Sequence, residues 1–319
     1  MTFHAGSGTM DRFYRTYSGF LREKFKKEIS KISIATHATC PNRDGTLSYG
    51  GCIYCSESGS GRVTADSPAE QVADYLNRRS NQSKGYIAYF QSYSNMYKEG
   101  AGIKQELKKI ALMKSIVGFS VATRPDCIDC GTMDYLKSLS ETHFIQIELG
   151  LETANEKTLE SINRKMKSSD YLDACREVKK RIPGCHIVCH VIIGLPGESM
   201  KDFEATLALF NESSAEGIKF HHLYVPKKAP LEKLFREGKI ELMAEDDYIE
   251  NLLALLARVP SDRVIHRMKS SSSSMDLVAP LWTLNPYFRE KLSKRAGELK
   301  IFQGSFYGDN AFNCWKKAL

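Results

Sequence analysis

Residues 39–55 read Thr-Cys-Pro-Asn-Arg-Asp-Gly-Thr-Leu-Ser-Tyr-Gly-Gly-Cys-Ile-Tyr-Cys, which sets Cys40, Cys52 and Cys55 at a C-x11-C-x2-C spacing. Cys52 and Cys55 flank two residues, so both sulfurs can face one metal centre. Cys40 reaches the same centre across a loop in which Gly45, Gly50 and Gly51 permit tight turns. Three thiolates are one short of the four that close a structural zinc site or fully ligate an iron–sulfur cluster. A cluster anchored by three cysteines leaves one iron open, and an open iron can bind and activate a small molecule. The competing reading is zinc. It requires the distant pair Cys127-x2-Cys130 to join Cys52-x2-Cys55, and the 71 intervening residues far exceed zinc-ribbon spacing.

Composition fits such a centre. The chain has 319 residues, 42% hydrophobic and 26% charged, enough for one large α/β domain or a barrel with an appendage. No apolar run approaches the ~20 residues of a membrane helix, and the N-terminus lacks the apolar core of a signal peptide. No membrane association and a cytoplasmic location are expected. Nine scattered cysteines form no secreted disulfide framework. The net charge of +7 is a mild bias towards a polyanionic partner.

Working outward from the cysteines, short apolar runs alternate with amphipathic helical patterns. Strands are expected at 32–36, 86–92, 118–122, 144–149, 185–193 and 218–224, and helices at 68–79, 103–113, 132–140, 168–181 and 199–211. Strict strand–helix alternation predicts a parallel sheet. Six strands and five helices suit an α/β fold, a partial (β/α)6 TIM-like barrel, over 31–228. Ser67, Pro68 and Glu70 form the start signal of one helix. A basic and aromatic segment precedes the barrel over 1–30. A C-terminal α/β extension follows over 229–319, with a strand at 263–268 and a serine run at 270–274, and is expected to close the barrel's open side or mouth.

Periodicity places polar groups inside. In 144–152, Ile145, Ile147, Leu149 and Leu151 alternate with Gln146, Glu148, Gly150 and Glu152. The apolar set packs on helices, which turns the polar set to the barrel axis. In the fifth strand His186, His190 and Gly194 share a face; in the sixth Lys219, His221 and Leu223 do, and periodicity alone does not say which way that face points. An uncompensated charge in a barrel core costs several kcal/mol. Either a polar ligand satisfies these groups, or Glu148 forms an internal network with Lys219 or a histidine. Gly194-Leu195-Pro196-Gly197-Glu198 ends a strand where backbone can approach a ligand closely. Tyr54, between the paired cysteines, can lie against an adenine.

The segments Cys-Pro-Asn-Arg-Asp-Gly-Thr (40–46), Gly-Gly-Cys-x-x-Cys (51–55), Tyr-Phe-Gln-x-Tyr-x-Asn (89–95), Thr-Arg-Pro-Asp-Cys (123–127), Glu-Leu-Gly-Leu-Glu-Thr (148–153) and His-Val-Ile-Ile-Gly-Leu-Pro-Gly-Glu (190–198) resemble the YhcC/YtqA-type radical S-adenosylmethionine (radical SAM) proteins, relatives of the elongator catalytic subunit. Lys-x-His (219–221), Ile-His-Arg (265–267) and Ala-Pro-Leu-Trp (279–282) extend the resemblance, which covers about residues 12–304. The serine run 270–274 departs from the more varied, glycine-containing loop expected there.

The resemblance implies a [4Fe–4S] cluster on Cys40, Cys52 and Cys55, SAM, and a 5′-deoxyadenosyl radical. It implies SAM contacts from Gln91, Ser120, Arg124 and Glu148; Tyr54 of the cysteine loop and His190, Gly194, Lys219 and His221 of the fifth and sixth strands complete the cofactor-binding set. No catalytic residue is singled out, and no second cysteine cluster suggests sulfur insertion. A reductant such as flavodoxin or ferredoxin is implied.

The implied substrate is tRNA. The YtqA branch resembles the MnmL type of enzyme, which converts 5-carboxymethylaminomethyl-uridine at wobble position 34 to the 5-aminomethyl form. The stretch Arg12, Phe13, Tyr14, Arg15, Tyr17, Phe20, Arg22, Lys24, Phe25, Lys26 and Lys27 either tracks phosphates and stacks bases or forms an amphipathic helix packed on the barrel. Alternatives are a radical SAM enzyme acting on a small metabolite or a protein, and a zinc-stabilised nucleic-acid-binding module.

Overall fold

The computed structural model describes residues 13–56, 66–79, 84–100 and 102–308. Arg12 and the outer ends of the expected N- and C-terminal segments lie outside them. Six strands, β1 (Ile29–Ile34), β2 (Gly85–Phe90), β3 (Ile116–Thr123), β4 (Phe144–Glu152), β5 (His186–Ile193) and β6 (Gly217–His222), pair in sequence order and in parallel. After the short β7 (Val225–Pro226), β8 (Val264–Arg267) joins the same sheet beside β6, giving a seven-stranded parallel partial barrel.

The strand at 263–268 is therefore a seventh stave of the sheet. Its ladder carries a bulge: Ile218 pairs with Ile265 but Lys219 with Arg267. One extra residue on β8 re-aims the side chains around it. The N-terminal segment then covers the free edge, where Ile265 N–H donates to the Arg15 carbonyl at 2.9 Å.

Helices fill the outside as the periodicity requires. The helix Pro68–Arg79 carries the expected cap: the Ser67 N–H donates to Glu70 at 2.7 Å, and the Glu70 N–H to Ser67 Oγ at 3.3 Å. The helix Tyr17–Phe25 is capped by Thr16 and packs against β1 and β8. Its Tyr17, Phe20 and Phe25 join Leu21, Ile87 and Phe144 in one apolar cluster, while Arg22, Lys24 and Lys26 are exposed. Of the two readings of this stretch, packing describes its aromatic face, so those rings are not free to stack on bases.

Most strand boundaries moved by one to three residues, and two of these shifts bear on the site. β1 starts at Ile29, because Ile32 and Ile34 pack outward while Lys31 alternates inward. β2 stops at Phe90, and Tyr93 turns the chain with φ 54°. Gln91 thus stands on the loop rather than in the strand. Between β3 and β4 the backbones approach closely: a Cβ on Gly118 would lie 2.5 Å from the Phe144 carbonyl oxygen. Backbone cannot give way as a side-chain tip can. Gly118→Ala is expected to cost about 1–3 kcal/mol, read as a lowered denaturation midpoint with unchanged slope.

Candidate active site

The three cysteines lie in a loop that folds on itself. The Arg43 N–H donates to the Cys40 carbonyl at 2.8 Å, Gly51 N–H to Asn42 O at 2.8 Å, and Cys55 N–H to Cys52 O at 3.0 Å. Gly51 has φ 78°, and a Cβ there would meet the Arg43 side chain at 3.0 Å, so glycine is needed for the turn. Distant parts of the chain hold the loop in place: Ile53 N–H donates to Ile162 O at 3.1 Å, and Leu231 N–H to Ile53 O at 2.8 Å.

Cys40, Cys52 and Cys55 are free and line one cavity of about 280 Å³. Burial pushes the thiols of Cys40 and Cys55 above their ordinary pKa. Asn42 Nδ2 and Arg164 Nη1 donate to Cys52 Sγ at 3.7 and 3.8 Å. Arg164 also donates to the Gly150 carbonyl at 2.6 Å, with Glu152 at 3.5 Å. Arg43 donates to the carbonyls of Cys55 and Ser56 at 3.1 and 2.5 Å and covers the Tyr93 ring.

These residues fit an iron–sulfur cluster. Three thiols share a cavity wall, and N–H donors point at a ligand sulfur, the kind of contact that sets cluster potential. Among the described residues no three His, Cys, Asp or Glu side chains can hold one metal ion, whereas cluster ligands sit on separate irons. Cys127 and Cys130 do not line the cavity. Cys127 is buried in a 3-10 turn, where burial pushes its thiol up to about 12, and Cys130 is exposed and accepts a hydrogen bond from Arg181 at 3.1 Å. The four-thiolate zinc reading therefore finds no support among them.

The inner end of the cavity is built from alternating strand positions. Tyr89, Glu148, His190, Lys219, His221 and Arg267 line it. Glu148 is buried and accepts at both oxygens. Lys31 Nζ, Ser120 Oγ and Gln146 Nε2 reach Oε1 at 2.8, 2.8 and 2.7 Å. Tyr89 OH and His190 Nε2 reach Oε2 at 2.8 Å each, and Lys219 Nζ bonds it too. Burial alone would raise the Glu148 pKa, but Lys219, Lys31 and the His190 hydrogen bond hold it well below the carboxylate range. Burial pushes Lys219 down to about 7 against the pull of Glu148. Burial and Lys219 push His190 down to about 4, so it is neutral at pH 7.

Measured against the sequence reading, the structure brings Tyr54, Gln91, Arg124, Glu148, His190, Lys219 and His221 to the same cavity as the cysteines. Two expected cofactor contacts fall elsewhere. Ser120 is fully buried and serves Glu148. Gly194 is absent from the lining, and a Cβ there would lie 3.5 Å from Met243. The internal-network reading describes Glu148, whose oxygens are already occupied. Arg124 pairs with Asp126 at 2.7 Å and keeps Nη1 buried and unpartnered. The sequence reading assigned no role to Tyr89, Arg164 and Arg267, which line the cavity, or to Lys31, which reaches it through Glu148. Lys31 carried a signal, the alternation of Ile-Ser-Lys-Ile-Ser-Ile, whereas Arg164 lies outside any helix or strand and carried none.

Arg164→Gln removes a buried positive donor from Cys52. It is expected to move the cluster midpoint potential negative and to weaken iron retention about 10–100-fold, measured by redox titration and iron analysis.

Comparison with known proteins agrees with this geometry. Residues 14–210 match the Radical SAM superfamily model, and residues 215–296 match the Radical_SAM C-terminal domain. YtqA of Bacillus subtilis is 31% identical over 303 residues, 93% of this chain and 94% of that protein. YhcC of Escherichia coli K12 is 30% identical, over 86% of this chain and 89% of its own length. A tRNA-2-methylthio-N(6)-dimethylallyladenosine synthase of Corynebacterium jeikeium is 29% identical, over 41% of this chain and 26% of its own. The fold is similar to archaeal Methanocaldococcus infernus Elp3 lacking its N-terminus, with TM-score 0.62, 14% identity and coverage of 87% of this chain and 64% of that one. Among the described residues no helix is long and apolar enough to cross a membrane. The chain belongs to the radical SAM superfamily, in its YhcC/YtqA-type group, and is an enzyme that uses a [4Fe–4S] cluster and SAM.

Proposed function

We propose that this enzyme modifies tRNA at the C5 substituent of wobble uridine 34, taking carboxymethylaminomethyl-uridine to aminomethyl-uridine, with Cys40, Cys52 and Cys55 holding the cluster. The observation that carries the tRNA reading is the partial similarity to a synthase whose named product is a modified tRNA nucleoside. The chain's net charge of +7 is compatible with a polyanion.

Held by Cys40, Cys52 and Cys55, a cluster would supply the electron that cleaves SAM, drawn from a reductant such as flavodoxin or ferredoxin. The chain's own residues position and exclude. Tyr54, Gln91 and Arg124 line the cysteine cavity and are placed here as SAM contacts. The unpartnered Arg124 Nη1 is a ready donor to a carboxylate. Deeper in the barrel, the Glu148 network keeps Tyr89, His190 and Lys219 in fixed orientations, so a target group meets a preorganised polar floor.

The test is nucleoside mass spectrometry of tRNA from a strain lacking this gene, incubated anaerobically with reconstituted enzyme, SAM and reductant. Loss of carboxymethylaminomethyl-uridine with gain of aminomethyl-uridine is expected. Unchanged nucleosides alongside steady SAM cleavage would move the substrate to another class.

A further inference from the structure

The bulge between β6 and β8 sets Arg267 opposite Lys219, and its side chain lines the inner cavity. The other arginines of this lining are engaged. Arg43 donates to two carbonyls, Arg124 pairs with Asp126, and Arg164 binds Gly150 and Glu152. Arg267 has no hydrogen bond or ion pair among the described residues. Glu148, which lines the same cavity, has three donors on each oxygen and no lone pair left to offer.

Beside it, His221 is enclosed, with Nε2 buried and unpartnered. The charge balance points the same way. Among the described residues, Lys31, Lys219 and Arg267 are three cationic side chains at this end of the barrel against the one carboxylate of Glu148. Burial first, and then the charge of Arg267 among others, lowers the pKa of both His221 and Lys219. A half-buried guanidinium without a partner is costly. A planar anion relieves that cost best, since it takes two parallel N–H bonds from the fork.

We propose that the inner end of the cavity is a carboxylate-binding pocket for the substrate, with Arg267 as its principal ligand and His221 Nε2 beside it. The pocket rests on the proposed function only in taking its occupant to be the substrate's own carboxylate. SAM also carries a carboxylate, and phosphate shares the bidentate geometry, so the test separates the three.

Wild type, Arg267→Gln and Arg267→Lys are reconstituted anaerobically and compared in three measurements. Thermal unfolding is followed with acetate, inorganic phosphate or chloride at matched ionic strength. SAM affinity is measured by equilibrium dialysis. KM and kcat are measured on tRNA bearing carboxymethylaminomethyl-uridine. Acetate is expected to raise the melting temperature of wild type above chloride, of Arg267→Lys less, and of Arg267→Gln not at all. SAM affinity is expected to stay within about twofold. KM is expected to rise about 10- to 150-fold in Arg267→Gln, the equivalent of one hydrogen bond to a charged group.

A collapse of SAM affinity in Arg267→Gln would assign the guanidinium to SAM and overturn the proposal. Protection by phosphate but not acetate, or equal protection by all three salts, would overturn it too. If the tRNA is not a substrate but acetate still protects only the proteins with a cation at position 267, the pocket stands and only its carrier molecule changes.

Discussion

Cys52→Ala protein is expected to fold, to bind essentially no iron or sulfide after anaerobic reconstitution, and to show no SAM cleavage above that of the unreconstituted protein. The expectation follows from the different jobs of this residue's backbone and side chain. The loop depends on the Cys52 carbonyl, which accepts from Cys55 N–H at 3.0 Å, and on Gly51 N–H donating to Asn42 at 2.8 Å. Alanine keeps both. The sulfur adds little packing: deleting one buried sulfur costs on the order of 1 kcal/mol, like a buried methylene. In the proposed assignment, however, it is one of three covalent anchors of the cluster, and among the described residues no fourth thiol lines the cavity to replace it. Asn42 and Arg164 also lose their shared acceptor.

The same loss is expected for Cys40→Ala and Cys55→Ala. Cys127→Ala and Cys130→Ala are expected to keep the visible absorbance, because neither thiol lines the cavity. Iron content, visible absorbance and 5′-deoxyadenosine formation decide the matter. Full cluster occupancy in any one of the three single variants would break the ligand assignment.

What could be read in advance follows the physics of each position. Period-two alternation is a local property, so Gln146, Glu148 and Glu152 were placed on the barrel side of β4, and His190 on that of β5, before any tertiary contact was known. The C-x2-C pair is local in the same sense. Ser120 shows the limit of such reasoning. Its strand was legible and its role came only from the resemblance, but whether it meets a ligand or Glu148 depends on the neighbouring strand, since β3 pairs Ser120 with Gln146. Arg164 follows a short helix, and its approach to Cys52 comes from chain folding across 112 residues. Arg267 was hidden for another reason: a β-bulge shifts a strand by one residue, which alternation cannot anticipate. The seventh strand was seen, but its partner was not, because pairing beyond consecutive strands is set by sheet closure.

The second large effect is expected at Glu148. Glu148→Gln keeps the volume but removes the one carboxylate that, among the described residues, pairs with both Lys31 and Lys219. One amide oxygen then faces donors that had two carboxylate oxygens, and the amide NH2 faces other donors. Breaking a buried ion pair from one side costs about 3–5 kcal/mol. The pH dependence has a definite sign. In wild type Lys219 is already lowered to about 7, with Glu148 the chief influence holding it up against burial. Without that pull its pKa falls below 7, while in the unfolded chain it stays at ~10.4. Wherever the unfolded state binds more protons, stability rises with pH. That rise starts at lower pH in the variant than in wild type. The deficit is therefore widest near pH 5, narrows as the pH approaches 7, and is level above it. Denaturant unfolding of both proteins between pH 5 and 8 measures this directly. A further substitution, Lys219→Met in the Glu148→Gln background, is expected to return part of the loss by removing the stranded cation. A Glu148→Gln protein within about 1 kcal/mol of wild type at pH 5 would show that the carboxylate is not what neutralises the barrel's cations, and the barrel floor would need a different electrostatic account.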